Sequence, residues 1–384
     1  MTKIDFPKGF RGTGISANIK SNGNKDLALI VNEGPQKFGT AVFTTNRVVA
    51  APVTWSREVI KDGVVSAVLL NSGGANACTG PDGFLDTHRS AEKVANVLGL
   101  SASDVAICST GLIGVRLPLN EILVGIETAA DALTQDGALL AAEAIMTTDS
   151  HPKVFSTERY GVKIFGMAKG AGMLAPGLAT MLSLVTTDAV VNEEKARVLF
   201  QRVVERTYNR IDSDGCMSTN DTVLFMASGA SGVELTDLEL EDLLESCCAN
   251  LSSQLVHDAE GHSKIVSISV VNAQTESDAV AIARACARNN LLKCALHGQD
   301  PNWGRVLAAV GTVDAIFDPY LIDVSLNGIW VCKSSSPGED RTLVDMSSEL
   351  IEIVIDIHSG TEAATVWTND LTAMYVHENS SYSS

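Results

Sequence analysis

The stretch from Lys169 to Leu182 constrains the fold of this chain more than any other. It is rich in glycine and alanine, carries one charge at Lys169, and separates two segments with strand character, residues 161–167 and 181–185. The pattern is typical of a tight turn before a buried strand. On this interpretation Thr180 is an ordinary β-branched residue near the start of a strand.

Thr180 also allows a chemical interpretation. A threonine within a chain is a poor nucleophile, but at a chain start its own α-amine can accept the hydroxyl proton. An α-amine has an ordinary pKa of about 7.7–8.0, so a usable fraction is neutral near pH 7. The hypothesis is that the chain cuts itself between Ala179 and Thr180, and that Thr180 then performs acyl chemistry.

The rest of the chain reads as two blocks of strands and helices that meet near residue 180. Strand-like runs lie at 41–43, 66–71, 105–108, 161–167, 181–185, 223–226 and 265–271, and helical spacing at 85–98, 119–133, 137–146, 193–205, 238–257 and 277–289. From residue 321 onward, alternating polar and apolar residues predict a β-rich end. This order favours an α+β fold of layered sheets and helices over a doubly wound fold.

Charge, hydropathy and cysteine spacing exclude several classes of protein. The 384 residues carry a net charge of −18 with no dense Lys/Arg cluster, which argues against a nucleic-acid partner. No apolar run reaches about 18 residues and the start lacks a signal-peptide core, so we expect no membrane partner and a cytoplasmic protein. The eight cysteines have no metal-site spacing, which predicts free thiols and no metal.

The segment Ser109–Gly114 follows a short buried strand and contains two glycines. Glycines let backbone amides turn toward a ligand, and the Thr110 hydroxyl next to such an amide can form an oxyanion hole. A plain turn capped by a hydroxyl is the alternative. A second loop, residues 71–80, lacks the spacing of a nucleotide-binding loop and fits a structural or site-lining role better.

Several polar side chains leave two interpretations open. Thr147 lies either in a helix C-terminal turn or in a ligand-facing group. Lys169 either points to solvent or clamps a carboxylate. Glu260, beside a glycine break, either ends a helix or orients a substrate amine. For Arg305 the structural interpretation is favoured, and the polar end from His377 would ordinarily be a frayed tail.

Together these pieces resemble the glutamate N-acetyltransferase (ornithine acetyltransferase) family of arginine biosynthesis. The matching segments are Ala41–Thr44, Asn76–Cys78, Ser109–Gly114, Ala144–Asp149, Lys169–Leu182, Ser218–Asp221, Asp258–Gly261, Asp300–Val306 and Asn379–Ser384. They run in family order from near the start to the last residue, and the junction around Thr180 is the most specific of them.

The resemblance implies two intertwined αββα-type layers, formed by two pieces of one self-cleaved precursor. Cleavage before Thr180 gives an α chain, residues 1–179, and a β chain, residues 180–384, which assemble as an α2β2 heterotetramer. Thr180 is then the nucleophile, and Thr110 and Gly111 form the oxyanion hole. The implied substrate contacts are Thr147, Lys169, Thr180, Glu260, Asn379 and Ser384.

The activity implied by the resemblance is transfer of the acetyl group of N-acetyl-L-ornithine to L-glutamate through an acetyl-Thr180 ester. It implies small-molecule substrates and no cofactor, with acetyl-CoA left open as a second acetyl donor. Two alternatives stay open: a self-processing aminopeptidase or amidase with water as acceptor, and a ligand-binding or scaffold protein. The scaffold alternative predicts one intact chain of 40.5 kDa.

Overall fold

The computed structural model of the protein describes residues 4–175 and 181–381. The strands are β1 (Phe10–Ile15), β2 (Leu27–Asn32), β3 (Phe38–Phe43), β4 (Ala67–Asn71), β5 (Val105–Ser109), β6 (Lys153–Arg159), β7 (Val162–Lys169), β8 (Leu182–Thr187), β9 (Thr222–Ala227), β10 (Ile265–Ala273), β11 (Asp323–Leu326), β12 (Ile329–Lys333), β13 (Ser336–Pro337), β14 (Leu350–Asp356) and β15 (Glu362–Asn369). The helices are α1 (Ala51–Val59), α2 (Gly80–Leu98), α3 (Leu119–Asp131), α4 (Ala138–Ala144), α5 (Glu193–Arg206), α6 (Asp237–His257), α7 (Glu276–Ala287), α8 (Asn290–His297), α9 (Trp303–Val310) and α10 (Ala373–Ser381).

Two sheets pack face to face in the first part of the fold. The first sheet has the order β1-β2-β4-β5, and the second has the order β3-β9-β8-β7-β6. Apolar side chains of both sheets meet in one buried cluster between them. Helices α2 and α3 cover the outer face of the first sheet, and α5 and α6 cover the outer face of the second. Because both faces of each sheet are covered, strands such as β2 and β8 are buried along their whole length. The result is a four-layer αββα sandwich.

A second layered unit follows residue 265. Its sheet has the order β13-β12-β11-β14-β10-β15, in which β10 and β14 are parallel and the other neighbouring pairs antiparallel. Helices α7, α8 and α9 pack with this sheet around a separate apolar cluster. The expected α+β layered fold and its β-rich end are therefore confirmed.

The segment around residue 180 joins two adjacent strands of the second sheet. β7 and β8 pair antiparallel from Ile164–Thr187 to Lys169–Leu182, and β8 runs parallel to β9. Strands from both sides of the 179–180 peptide thus share one sheet: β3, β6 and β7 precede it, and β8 and β9 follow it. The register places Lys169 directly opposite Leu182.

The structure adds elements that the sequence analysis does not single out, among them β1, β2, β6, α1, α8 and α9. The interpretation of the polar end as a frayed tail is wrong through Ser381, because residues 373–381 form helix α10. All eight cysteines are free thiols, as predicted, and Cys247 and Cys248 are buried. Within the described ranges, no helix is both long and apolar enough to cross a membrane.

Candidate active site

One cavity gathers most of the residues that the sequence analysis singles out. It lies where β5 and β7 end and where the loop before β9 approaches them. Six of the predicted site residues line it: Thr110, Gly111, Thr147, Lys169, Glu260 and Asn379. Ala75, Ser218, Thr219 and Asn220 complete much of the wall. Ala179, Thr180 and Ser384 lie outside the described residues.

The predicted oxyanion loop is held in a conformation that requires glycine. Gly111 has φ +128°, and a Cβ atom there would approach the Gly74 backbone to 2.9 Å. The Thr110 amide is already bound, since it donates to the Asn71 carbonyl over 3.0 Å. In the described part of the chain, no backbone carbonyl accepts the Gly111 N–H. The Gly111 amide and the Thr110 hydroxyl are therefore two donors that this loop can offer to a ligand oxygen.

Lys169 is buried at the end of β7 rather than exposed to solvent. Its side chain is 2% exposed, and its Nζ donates to Thr110 Oγ1 over 3.3 Å. Burial lowers the pKa of Lys169 below its ordinary value, while the negative charges of Asp149, Asp221 and Glu260 oppose that shift. The solvent-pointing interpretation is wrong, and an ammonium in this place favours an anionic ligand group.

Asp149 connects the floor of the cavity to a buried pair of charges. Its Oδ1 accepts from Lys153 Nζ over 2.6 Å and from the Gly170 N–H over 2.7 Å, and its Oδ2 accepts from the Thr147 N–H over 2.9 Å. Burial alone would raise the pKa of Asp149. The positive charges of Lys169 and Lys153 and the Gly170 amide outweigh burial and lower the pKa to about 2. One carboxylate therefore fixes the backbone beside Thr147 and beside Lys169.

Glu260 and Asn379 approach the cavity from the other side. The Glu260 amide donates to the Ala171 carbonyl over 2.9 Å, and Thr148 Oγ1 donates to Glu260 Oε1 over 2.7 Å. A Cβ at Gly172 would lie 2.5 Å from Glu260 Oε2, so only glycine leaves that carboxylate in place. Asn379 is exposed on α10, and its Nδ2 donates to the carbonyl one turn earlier, on Tyr375.

Two further residues were not assigned a role from the sequence. Asn220 Nδ2 donates to the Ala75 carbonyl over 2.6 Å and to the Ser109 carbonyl over 2.9 Å, so it joins the two Gly-rich loops. Asp221 is fully buried, and its Oδ1 accepts the Met181 N–H over 3.0 Å. Their signal in the sequence is a short polar run, Ser218–Asp221, directly before an apolar strand.

Arg305 and three histidines have structural contacts and do not line the cavity. Arg305 donates to the Leu291 carbonyl, which supports its structural interpretation. His297 contacts Asp370, His262 contacts the Ala259 carbonyl, and His151 is exposed beside Ser150. Asp258, next to the predicted Glu260 segment, pairs with Lys153 and not with the cavity.

Comparison with known proteins gives a family for this arrangement. The profile of the ArgJ family matches residues 11–384. The protein named arginine biosynthesis bifunctional protein ArgJ from Streptomyces avermitilis is 57% identical over 99% of this chain and 100% of its own length. The protein of the same name from Streptomyces coelicolor is 56% identical over the same shares.

Two solved structures are also similar to parts of this chain. One is the ornithine acetyltransferase of Mycobacterium tuberculosis complexed with ornithine, 46% identical over 46% of this chain and 94% of that chain, with a TM-score of 0.41. The other is the arginine biosynthesis bifunctional protein ArgJ of Bacillus halodurans, 30% identical over 52% of this chain and 98% of that chain, with a TM-score of 0.49. On the evidence of the profile and of the full-length relatives, this chain belongs to the ArgJ family and is an enzyme, as its motifs imply.

Proposed function

We propose that this enzyme moves the acetyl group of N-acetyl-L-ornithine to L-glutamate through an ester on Thr180, and that it first cuts its own chain between Ala179 and Thr180. The products are L-ornithine and N-acetyl-L-glutamate. Family membership supports the place in arginine biosynthesis. The cavity supports the chemistry, because it combines the Gly111 amide, which binds no backbone carbonyl of the described residues, with a hydroxyl donor and a buried ammonium.

The observation that carries the proposal is the register of β7 and β8. Lys169 is paired with Leu182, and the Lys169 ammonium contacts the Thr110 hydroxyl. Met181, whose N–H binds Asp221, is the one residue between Thr180 and Leu182 in the sequence. We propose that a nucleophile at position 180 acts together with the Lys169 ammonium and with the Thr110 and Gly111 donors.

In the first half-reaction the substrate carboxylate binds near Lys169. The Thr180 hydroxyl attacks the acetamide carbonyl carbon, its proton passes to the α-amine of Thr180, and the carbonyl oxygen becomes an oxyanion. The Thr110 hydroxyl and the Gly111 amide stabilise that oxyanion, and one such donor is typically worth about 2.7–4 kcal/mol. The C–N bond then breaks, the ornithine nitrogen takes the proton from the α-ammonium, and an acetyl ester remains on Thr180.

The second half-reaction runs the same steps in reverse with glutamate. The neutral amine of glutamate attacks the ester carbonyl and transfers a proton to the α-amine of Thr180. The ester C–O bond breaks, and the proton returns to the Thr180 oxygen. Glu260 is proposed to hold the amino group of the bound substrate, with Thr147, Asn379 and Ser384 as further substrate contacts. Lys169 serves both substrates, because each carries an α-carboxylate.

Thr180→Ala is the direct test of both parts of the proposal. The variant is expected to remain one chain of 40.5 kDa on a denaturing gel and to have no acetyltransferase activity. Thr187→Ala, at the other end of β8, is the matched control and should be cut and active. A Thr180→Ala protein that is still cleaved, or that still turns over, would contradict the proposal.

The acceptor distinguishes this enzyme from an amidase of similar architecture. Acetyl-ornithine is incubated with and without glutamate, and the products are separated. Transfer predicts N-acetylglutamate that depends on glutamate, whereas hydrolysis predicts free acetate at equal rates in both. Acetyl-CoA with glutamate, in the absence of acetyl-ornithine, tests a second acetyl donor, which the word bifunctional in the relatives' names supports.

We further propose that the two pieces, residues 1–179 and 180–384, assemble as an α2β2 heterotetramer. The native mass would then be twice the 40.5 kDa of one chain. Sedimentation equilibrium measures it directly, and a mass equal to one chain would contradict this assembly.

A further inference from the structure

Asp221 is a buried carboxylate at the place where the proposed cleavage creates a new chain start. It precedes β9, has no exposed surface, and binds the Met181 N–H through Oδ1 over 3.0 Å. Ser218 lies nearby, yet no hydrogen bond of ordinary length reaches the second oxygen, Oδ2, from the described residues. Among the described residues, Asp221 is therefore held by one oxygen, and its other oxygen accepts no hydrogen bond of ordinary length.

Within the described part of the chain, such an arrangement is unfavourable. Burial raises the pKa of Asp221 well above its ordinary value, and the Met181 amide, Ser218 and the Lys169 charge only partly oppose this shift. Buried carboxylate oxygens nearly always have a partner, because an unpaired one loses its hydration without compensation. The described residues thus leave room for one more donor at Asp221, and a positively charged donor would satisfy the carboxylate best.

We propose that Asp221 positions the new amino terminus: while Oδ1 stays on the Met181 amide, Oδ2 accepts a hydrogen bond from the α-ammonium of residue 180. Only the α-carbon and the carbonyl carbon separate the nitrogen of residue 180 from the nitrogen of Met181. Donors on both nitrogens can therefore reach the two oxygens of one carboxylate. This inference rests on the cleavage proposed above.

The pairing would make Asp221 a positioning residue for the proton transfer. When the Thr180 hydroxyl attacks, its proton moves to the α-amine, and the resulting ammonium faces a carboxylate, as an imidazolium does in a Ser-His-Asp triad. The groups that face this position are Lys169 from β7, the Met181 amide at the start of β8, and Ser218 from the loop before β9. Because Lys169 is already positive, a second cation here needs the Asp221 charge to balance it.

The test compares Asp221→Asn with Asp188→Asn. Asp188 directly follows the other end of β8, is 3% exposed, and also accepts a backbone N–H, from Lys163 over 2.8 Å. Each variant is purified, its β-chain start is read by mass spectrometry, and kcat, KM and the pH profile are measured. For cut Asp221→Asn we expect kcat to fall on the order of 10²-fold with KM little changed, as for loss of general acid–base assistance.

We also expect the acid limb of the Asp221→Asn profile to shift to lower pH, because a carboxylate partner raises the pKa of an amine and the amide removes that effect. A cut Asp221→Asn enzyme with the kcat and pH profile of Asp188→Asn would overturn the inference. Wild-type protein that lacks a chain starting at residue 180 would instead overturn the proposed cleavage.

If the Asp221→Asn variant does not fold or is not cleaved, the inference is tested on the wild-type enzyme instead. The α-amine of residue 180 is titrated by the pH dependence of its reductive methylation, followed by mass spectrometry of the terminal peptide. A pKa above the ordinary range of about 7.7–8.0 supports the carboxylate pairing, and a pKa within or below that range overturns it.

Discussion

Lys169, the proposed anchor of the substrate carboxylate, lowers the stability of the fold. Its ammonium is buried, its direct hydrogen bond is to the Thr110 hydroxyl, and burial lowers its pKa. A folded-state pKa below the ordinary 10.5 means that protonated Lys169 opposes folding at neutral pH. The fold thus keeps a buried ammonium that lowers its stability. A residue kept at such a cost in stability is expected to serve function, here the proposed binding of substrate.

Lys169→Met should separate these two effects. Methionine has a similar length and no charge to desolvate, so the free energy of unfolding should be unchanged or higher. The anchoring of the substrate carboxylate is lost, and a charge-assisted hydrogen bond of about 1.5–3 kcal/mol corresponds to a fall in kcat/KM of roughly ten- to 150-fold. Urea unfolding and steady-state kinetics measure the two quantities.

Lys264→Met is the control for this prediction. Lys264 is also buried, but its ammonium donates to three backbone carbonyls, of Met346, Ser347 and Ser348. Its replacement should lower stability and leave kcat/KM unchanged. A Lys169→Met enzyme that is destabilised yet fully active would show that Lys169 is a structural lysine of the same kind.

Gly111→Ala tests the oxyanion loop. Gly111 has φ +128°, and the new Cβ would lie 2.9 Å from the Gly74 backbone, so the loop must move. The movement changes the orientation of the Gly111 N–H. We expect kcat to fall about 10²–10³-fold, as for loss of one oxyanion donor. Gly99→Ala is the control, since Gly99 also has positive φ at the end of α2 but has open space around it. Equal loss of activity in both variants would exclude a specific role for Gly111.

The sequence predicted the residues that line the cavity better than those that support them. Thr110, Lys169 and Glu260 stand in short motifs, beside glycines or in an uncharged run, where local pattern is informative. Asp149 and Asn220 act through backbone groups on other loops, in one case 145 residues apart along the chain. Such contacts exist only once the sheets are packed, so no local pattern could have revealed them.

At the scale of the element, the turn after α4 and the end of β7 depend on one carboxylate. Asp149 binds the Thr147 and Gly170 amides and the buried Lys153 ammonium. Its pKa is about 2, against an ordinary 3.8, so its contribution to stability is complete above about pH 4 and is lost as the pH falls through 2. The cavity floor is therefore an acid-sensitive part of the fold.

Asp149→Asn should destabilise the protein by about 3 kcal/mol at pH 6, because removing one partner leaves the buried Lys153 charge with Asp258 alone. The difference from wild type should shrink between pH 4 and pH 2 as Asp149 protonates. Chemical unfolding at several pH values measures it. Asp345→Asn, an exposed carboxylate that binds the Ser347 amide, is the control and should show no such loss. A difference that stays constant down to pH 2 would contradict the assignment.

The elements found from sequence are those with a strong local signal. Helix α6 was expected at 238–257 and spans Asp237–His257, where Thr236 and Glu239 form a capping box at its start. Strand β6 was missed because residues 153–159 are largely half-exposed and include charged side chains. What makes this segment a strand is its pairing with β7, which is not visible in the local sequence. Strand β2 is a short run of buried apolar residues. For such a run, periodicity alone cannot tell a strand from a segment of a buried helix.

At the scale of the whole molecule, the proposed cut falls between two paired strands of one sheet. β7 belongs to the first piece and β8 to the second, and six residue pairs join them, from Ile164–Thr187 to Lys169–Leu182. β3 of the first piece pairs with β9 of the second on the other side. The apolar cluster between the two sheets draws side chains from both pieces, including Phe165 and Leu184. Cleavage of one peptide bond removes none of these contacts.

The two pieces should therefore behave as one folded body after cleavage. On size exclusion in native buffer we expect residues 1–179 and 180–384 to co-elute in equal amounts, and to separate only in denaturant. Cleaved wild type and uncut Thr180→Ala should unfold cooperatively, and their midpoints should differ little because the same cores are buried. The isolated 180–384 piece should aggregate, since the inner faces of β8 and β9 would be exposed to water. Separation of the pieces without denaturant would show that the shared sheet does not hold them together.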